Sequence, residues 1–146
     1  MRFTVQTYIA APPAVVWDLL ADWEGSAAWM VDATTVRVIG AQRAGVGTTV
    51  EAVTRIAGIP MTDVMVVTAW QDERLIEVEH KRWPIKGPAR FLITPEGSGT
   101  RMAWDEDLVP PFGRLGAIGG RILRRPIERL LRKSLRRLRA IAEARR

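Results

Sequence analysis

Phe3, Val5 and Thr7 alternate with Thr4, Gln6 and Tyr8. That two-residue period predicts a strand with one buried face. Ala11-Pro12-Pro13 then opens a helix, because proline at the first turn lacks only an N–H that would go unpaired anyway. Val15, Val16, Leu19 and Leu20 give this helix its apolar side. The run Asp22 to Met30, carrying Trp23 and Trp29, reads as a short second helix or an ordered loop. From residue 33 the texture changes to short β-rich runs at about 33–39, 47–56, 61–70, 73–80, 87–94 and 100–108, separated by turn residues. Pro110-Pro111-Phe112-Gly113 ends them, and one long helix follows over roughly 115–144. Its apolar stripe is Leu123, Ile127, Leu130, Leu131, Ser134, Leu138, Ile141 and Ala142, with arginines opposite. Pro126 is expected to kink or break it, and Gly116, Gly119 and Gly120 to loosen its start.

Short connections imply antiparallel neighbours. A sheet of that size needs a cover, and the terminal helix is the one large candidate. The expected fold is α+β: a seven-stranded antiparallel sheet wrapped on a long C-terminal helix, with two short helices after the first strand. The 146 residues suit a single domain, 1–146.

Composition narrows the chemistry. There is no cysteine, which excludes disulfides and thiol catalysis, and His80 is the single histidine, which excludes a multi-His metal site. No metal and no cofactor is expected. No apolar run approaches the roughly 18 residues of a membrane span, and the N-terminus does not read as a signal peptide, so the expected location is the cytoplasm. The net charge of +6 is unevenly placed. Residues 114–146 hold 12 basic residues against Glu128 and Glu143, a net of +10, while residues 1–113 hold 10 basic and 14 acidic ones, a net of −4. The basicity therefore belongs to the last helix.

The opening strand running into Ala11-Pro12-Pro13-Ala14-Val15-Val16-Trp17, then Leu20-Ala21-Asp22-Trp23, Trp29, Gly45-Val46-Gly47-Thr48, Gly99-Thr100-Arg101 and Leu135-Arg136-Arg137-Leu138 before Glu143, resemble the SRPBCC superfamily over essentially the whole chain. This superfamily groups START lipid-transfer domains, the birch-pollen allergen family and polyketide cyclase/dehydratases, and the bacterial polyketide cyclase/dehydratase and lipid-transport branch is the most similar. The resemblance implies a helix-grip fold around an internal cavity, hydrophobic ligands, and in a minority of members proton-transfer chemistry. Fold alone does not choose among these.

Strand alternation locates the inward face. Glu51 and Arg55 face out, so Val50, Ala52, Thr54 and Ile56 face in. Pairing across the turns then sets Thr54 opposite Asp63, Ala52 opposite Met65, Asp63 opposite His80, Met65 opposite Val78, Val67 opposite Ile76, Phe91 opposite Met102 and Ala89 opposite Trp104. The expected ligand-lining set is Val50, Ala52, Thr54, Met65, Val67, Val78, Phe91, Met102 and Trp104, with Leu115, Ile118, Ile122 and Leu123 from the helix. Trp29 is expected at the cavity entrance.

Asp63 and His80 side by side, with Glu106 one step further, form the candidate catalytic set. A carboxylate orients an imidazole and raises its basicity. The alternative reading is a structural hydrogen-bonded pair at a pocket mouth. Two function classes follow: a binding module for a lipid-like or polyketide-like molecule, and a cofactor-free cyclase or dehydratase. A protein-interaction domain with a filled cavity is a third. The basic helix suits an anionic membrane surface or an acidic carrier protein. Nucleic acid is disfavoured, since no reading motif accompanies the charge. The chain is expected to be a monomer or a homodimer.

Overall fold

The computed structural model describes residues 1–56 and 58–146. Strand β1 spans Arg2–Ile9 and leads into helix α1, Pro13–Ala21, and a 3-10 helix, Glu24–Ala28. Strands β2 (Ala33–Ile39), β3 (Thr49–Ile56), β4 (Ile59–Gln71), β5 (Leu75–His80), β6 (Gly87–Glu96) and β7 (Gly99–Asp107) follow, and helix α2 takes up Gly113–Arg145. The seven strands form one antiparallel sheet in the order β1-β7-β6-β5-β4-β3-β2. The expected α+β helix-grip architecture is the one observed. Among the described residues, no helix is long and apolar enough to cross a membrane.

The inward face follows the expected parity. Val50, Ala52, Val67, Val78, Phe91, Met102 and Trp104 are all buried, while Arg37, Arg55 and Arg90 are exposed. The partners differ from expectation by two residues. Asp63 lies opposite Ala52 and Val50 opposite Met65. Met65 lies opposite His80 and Val67 opposite Val78, and a bulge between Val67 and Ala69 then sets Trp70 opposite Ile76. Phe91 lies opposite Trp104, Ala89 opposite Glu106 and Ile93 opposite Met102. The physical reason lies in the turns and, between β4 and β5, also in the bulge: the partner of Ile76 is off by three residues, and the bulge brings the offset back to two at Val78 and His80. Moving the centre of a hairpin turn by one residue moves every partner by two, which changes neighbours and keeps faces. The β6–β7 hairpin, for instance, closes at Glu96 and Gly99 around Gly97, whose φ is 58°. The inward placement expected for the Ile56 side chain lies outside the described residues.

Helix α2 continues through Pro126 as one element, so the expected break is absent. The carbonyl that Pro126 leaves without its usual donor belongs to Ile122, on an exposed turn where water can reach it. With no break, one phase runs through the helix. Its packed side carries Leu131, Ser134, Leu135, Leu138 and Ala142, buried against β1 and α1. Leu115, Ile118 and Ile122 fall on the opposite side and are exposed, so their expected inward placement is corrected. At about 100° per residue the two sets cannot share a face.

Two of the early glycines are there for close approach. A Cβ on Gly116 would collide with the carbonyl oxygen of Pro111, and one on Gly120 with Sδ of Met1. Both let α2 settle on the segment leaving β7 and on the start of β1.

Candidate functional site

Four titratable side chains from separate elements converge under the sheet. Asp63 comes from β4, His80 from the last position of β5, Glu106 from β7, and Asp32 from the segment just before β2. Strand β4 runs on past the end of β5. Asp63 therefore sits two residues beyond Met65, the cross-strand partner of His80, on the same face. Such diagonal neighbours lie within reach of long side chains. His80 Nδ1 is 2.8 Å from Asp63 Oδ2 and 3.0 Å from Oδ1, and both side chains are buried. Asp63 and His80 thus meet as expected, on a diagonal rather than directly opposite.

The carboxylate accepts, so Nδ1 carries the proton and donates. That leaves Nε2, which is buried and has no partner among the described residues. Burial alone would pull the imidazolium pKa down. The hydrogen bond to Asp63, with the charges of Asp63, Glu106 and Glu79, outweighs it and holds His80 above its ordinary 6.5.

Glu106 Oε1 accepts from Trp104 Nε1 at 3.1 Å. Burial pushes its carboxyl above the usual range, Asp63 and Asp32 add to the rise, and His80 and the Trp104 bond oppose it. Asp32 is raised by the same two causes, burial first and then the charge of Asp63, against a hydrogen bond from its own backbone. The Asp105-Glu106-Asp107 run is split by alternation: Asp105 turns to Arg2 and Arg90 at 3.7 and 3.9 Å, and Glu106 turns inward.

The apolar lining lies next to this cluster. Trp104 stands edge-on to Phe91 at 5.1 Å between ring centroids, and Trp29 stands edge-on to both at 5.9 Å. Trp29, expected at an entrance, is instead 1% exposed, at the centre. Its Nε1, like Thr54 Oγ1, is buried without a partner among the described residues. Met65 is half-buried beside His80. An apolar cleft of about 280 Å3 opens nearby, lined by Phe3, Ile85, Val109, Leu123 and Ile127 among others. Phe3, one wall of the cleft, is the cross-strand partner of Glu106. Leu123 is thus the one expected helix residue that faces this cleft.

The family model described as polyketide cyclase / dehydrase and lipid transport matches residues 1–143. The chain belongs to this family. Its fold matches TTHA0849 from Thermus thermophilus with a TM-score of 0.84 and 19% identity, covering 99% of this chain and 98% of that one. The Zhui aromatase/cyclase from Streptomyces sp. R1128 gives a TM-score of 0.83 and 19% identity over 99% and 94% of the two chains. A START superfamily protein from Mycobacterium smegmatis gives 0.69 and 16% over 99% and 95%. At these identities the likeness is one of fold. No curated protein matches the chain.

Membership of the polyketide cyclase/dehydrase and lipid-transport family supports hydrophobic-ligand binding or cyclase activity in general terms. Asp32 is the member of the cluster that sequence reading misses. It lies outside any alternating run, in the approach to β2, and only the half-burial and the charge of Asp63 bring it into the group.

Proposed function

We propose that the chain binds a hydrophobic, carbonyl-bearing small molecule of lipid or polyketide type between the sheet and α2, and acts on it as a cofactor-free acid–base catalyst. The observation that carries this reading is the buried His80, anchored through Nδ1 on Asp63 with Nε2 unpartnered. In the neutral imidazole the lone pair on Nε2 is the base. It takes a proton from the carbon beside the ligand carbonyl, and the bonding pair moves to the carbonyl oxygen as an enolate. Asp63 holds the resulting imidazolium in place. The Nε2 proton then passes to a β-hydroxyl, which leaves as water while the enolate collapses to the conjugated carbonyl. Glu106, whose buried carboxyl keeps its proton to higher pH than a free glutamate, is the second acid.

The aromatic trio supplies the apolar bed for the ligand. Trp29, edge-on to its two neighbours, is the ring that gives way to it, and the cleft beside Phe3 is the way in. Gly116, Gly119 and Gly120 lie along that cleft.

The test uses native mass spectrometry of the purified protein, then aryl methyl ketones and β-hydroxyacyl thioesters as probes in D2O. Wild type should bind them and speed deuterium uptake beside the carbonyl. His80→Gln should bind and lose the exchange. Binding with no speeding of exchange by the wild type leaves a carrier without chemistry, and equal speeding by both proteins removes His80 from the role of base. Absence of any binding sinks the whole reading.

A further inference from the structure

Six large apolar side chains stand in solvent at one end of the molecule: Trp83, Val109, Phe112, Leu115, Ile118 and Ile122. They are not scattered. Trp83, in the β5–β6 connection, meets Phe112 edge-on at 5.8 Å between ring centroids. The same two segments are tied by the Val109 N–H donating to the Lys86 carbonyl at 2.9 Å. Leu115, Ile118 and Ile122 continue the patch along the outer side of α2. Folding does not call for them, since the packed stripe lies on the other side of the helix. Leu115 is 77% exposed, Phe112 74% and Ile122 73%. A contiguous patch of this kind marks an interaction site.

Charge says what covers it. Segments 81–86 and 108–127 contribute Lys81, Arg82, Lys86, Arg114, Arg121, Arg124 and Arg125, and not one Asp or Glu. Of these, only Arg124 has an ion-pair partner among the described residues, Glu128 at 3.2 Å. A second copy of the chain would bring cation against cation. An acidic protein would answer the charge and leave the aliphatic tips unused. We propose that this end docks on an anionic bilayer. Phe112, Leu115, Ile118 and Ile122 enter the headgroup–acyl boundary, Trp83 sits at the interface, and the arginines reach the lipid phosphates. Nothing in this inference depends on the chemistry of His80.

The test is co-sedimentation with vesicles of phosphatidylcholine alone and of phosphatidylcholine with phosphatidylserine, at low and raised salt. Wild type should pellet with the anionic vesicles, more weakly as salt rises, and little with the neutral ones. The triple variant Leu115→Ser, Ile118→Ser, Ile122→Ser should lose about tenfold or more in partitioning, from the apolar area withdrawn. These positions are exposed and leave the core intact, which circular dichroism checks. As a second reading, vesicles with brominated acyl chains should quench wild-type fluorescence, and Trp83→Phe should lose that part of the quench. Equal pelleting with both vesicle types, full retention of binding by the triple variant, or absence of quenching overturns the proposal. So does sedimentation velocity showing a wild-type dimer that the triple variant dissolves, since the occupant is then a second copy.

Discussion

A buried imidazole and a buried carboxylate hold each other in place because each removes the other's reason to seek water. Neither His80 nor Asp63 has a second charged partner at hydrogen-bond distance among the described residues. His80→Gln leaves the Asp63 carboxylate buried near Glu106 and Asp32 with its cationic neighbour removed. Breaking a buried pair in this way costs about 3 kcal/mol or more. For a domain of this size that is roughly 6–12 °C in Tm, at about 2–4 °C per kcal/mol. The double variant Asp63→Asn, His80→Gln carries no buried charge and two amides able to bond each other, so it should recover part of the loss. Thermal unfolding of the four proteins in a double-mutant cycle measures the coupling. A double variant that loses the sum of the two single losses would mean that the two side chains act independently.

Secondary structure reads easily from alternation, because side-chain period depends only on local geometry. All seven strands and α2 lie within a few residues of where the pattern puts them. Partner identity depends on where each turn is centred, and that rests on one or two φ values, such as Glu73 at 60° and Gly97 at 58°. Hence Asp63 and His80 are legible as same-face neighbours while their row assignment is off by two. The lining residues expected from α2 are misplaced for another reason. Apolar identity at Leu115, Ile118 and Ile122 suggests burial, but helix phase decides it. The glycines of α2 separate two effects on one element. Gly119 has open space where a Cβ would stand, so Gly119→Ala should stabilise by about 1 kcal/mol through helix propensity. At Gly116 the new methyl meets the Pro111 carbonyl, a backbone atom with little freedom, so Gly116→Ala should destabilise instead. Urea unfolding of both variants gives the two signs. A gain at 116 equal to that at 119 would show that the helix start is not held against the 110–111 segment.

At the scale of the whole molecule, charge is segregated. Cations are concentrated on the outside of one helix, and a single imidazole shares the interior with the carboxyl groups of Asp63, Glu106 and Asp32. The interior group sets a pH dependence whose sign can be worked out. Asp32, Glu106 and His80 all have folded pKa values raised above their ordinary 3.8, 4.5 and 6.5. Between the unfolded and the folded value of each, the folded state binds more protons, so stability falls as pH rises. For the two carboxyls the stabilising form is the neutral one, and the loss begins as pH passes about 4. For His80 the stabilising form is the imidazolium. Its contribution is complete below 6.5 and is lost as pH climbs through the raised value. Glu96 and Glu143 run the other way, held below 4.5 by Arg101 and by the Ala10 N–H respectively. Their effect is confined to acid and screened by solvent. From slightly acid to alkaline pH, the interior group therefore decides, and urea midpoints should decline steadily across that range. His80→Gln should remove the imidazole's share of the decline above 6.5 and keep the share that Asp32 and Glu106 contribute from about pH 4 upward. A wild-type midpoint that rises from pH 6 to 8 would mean that His80 is held neutral, and that Asp63 does not govern its proton.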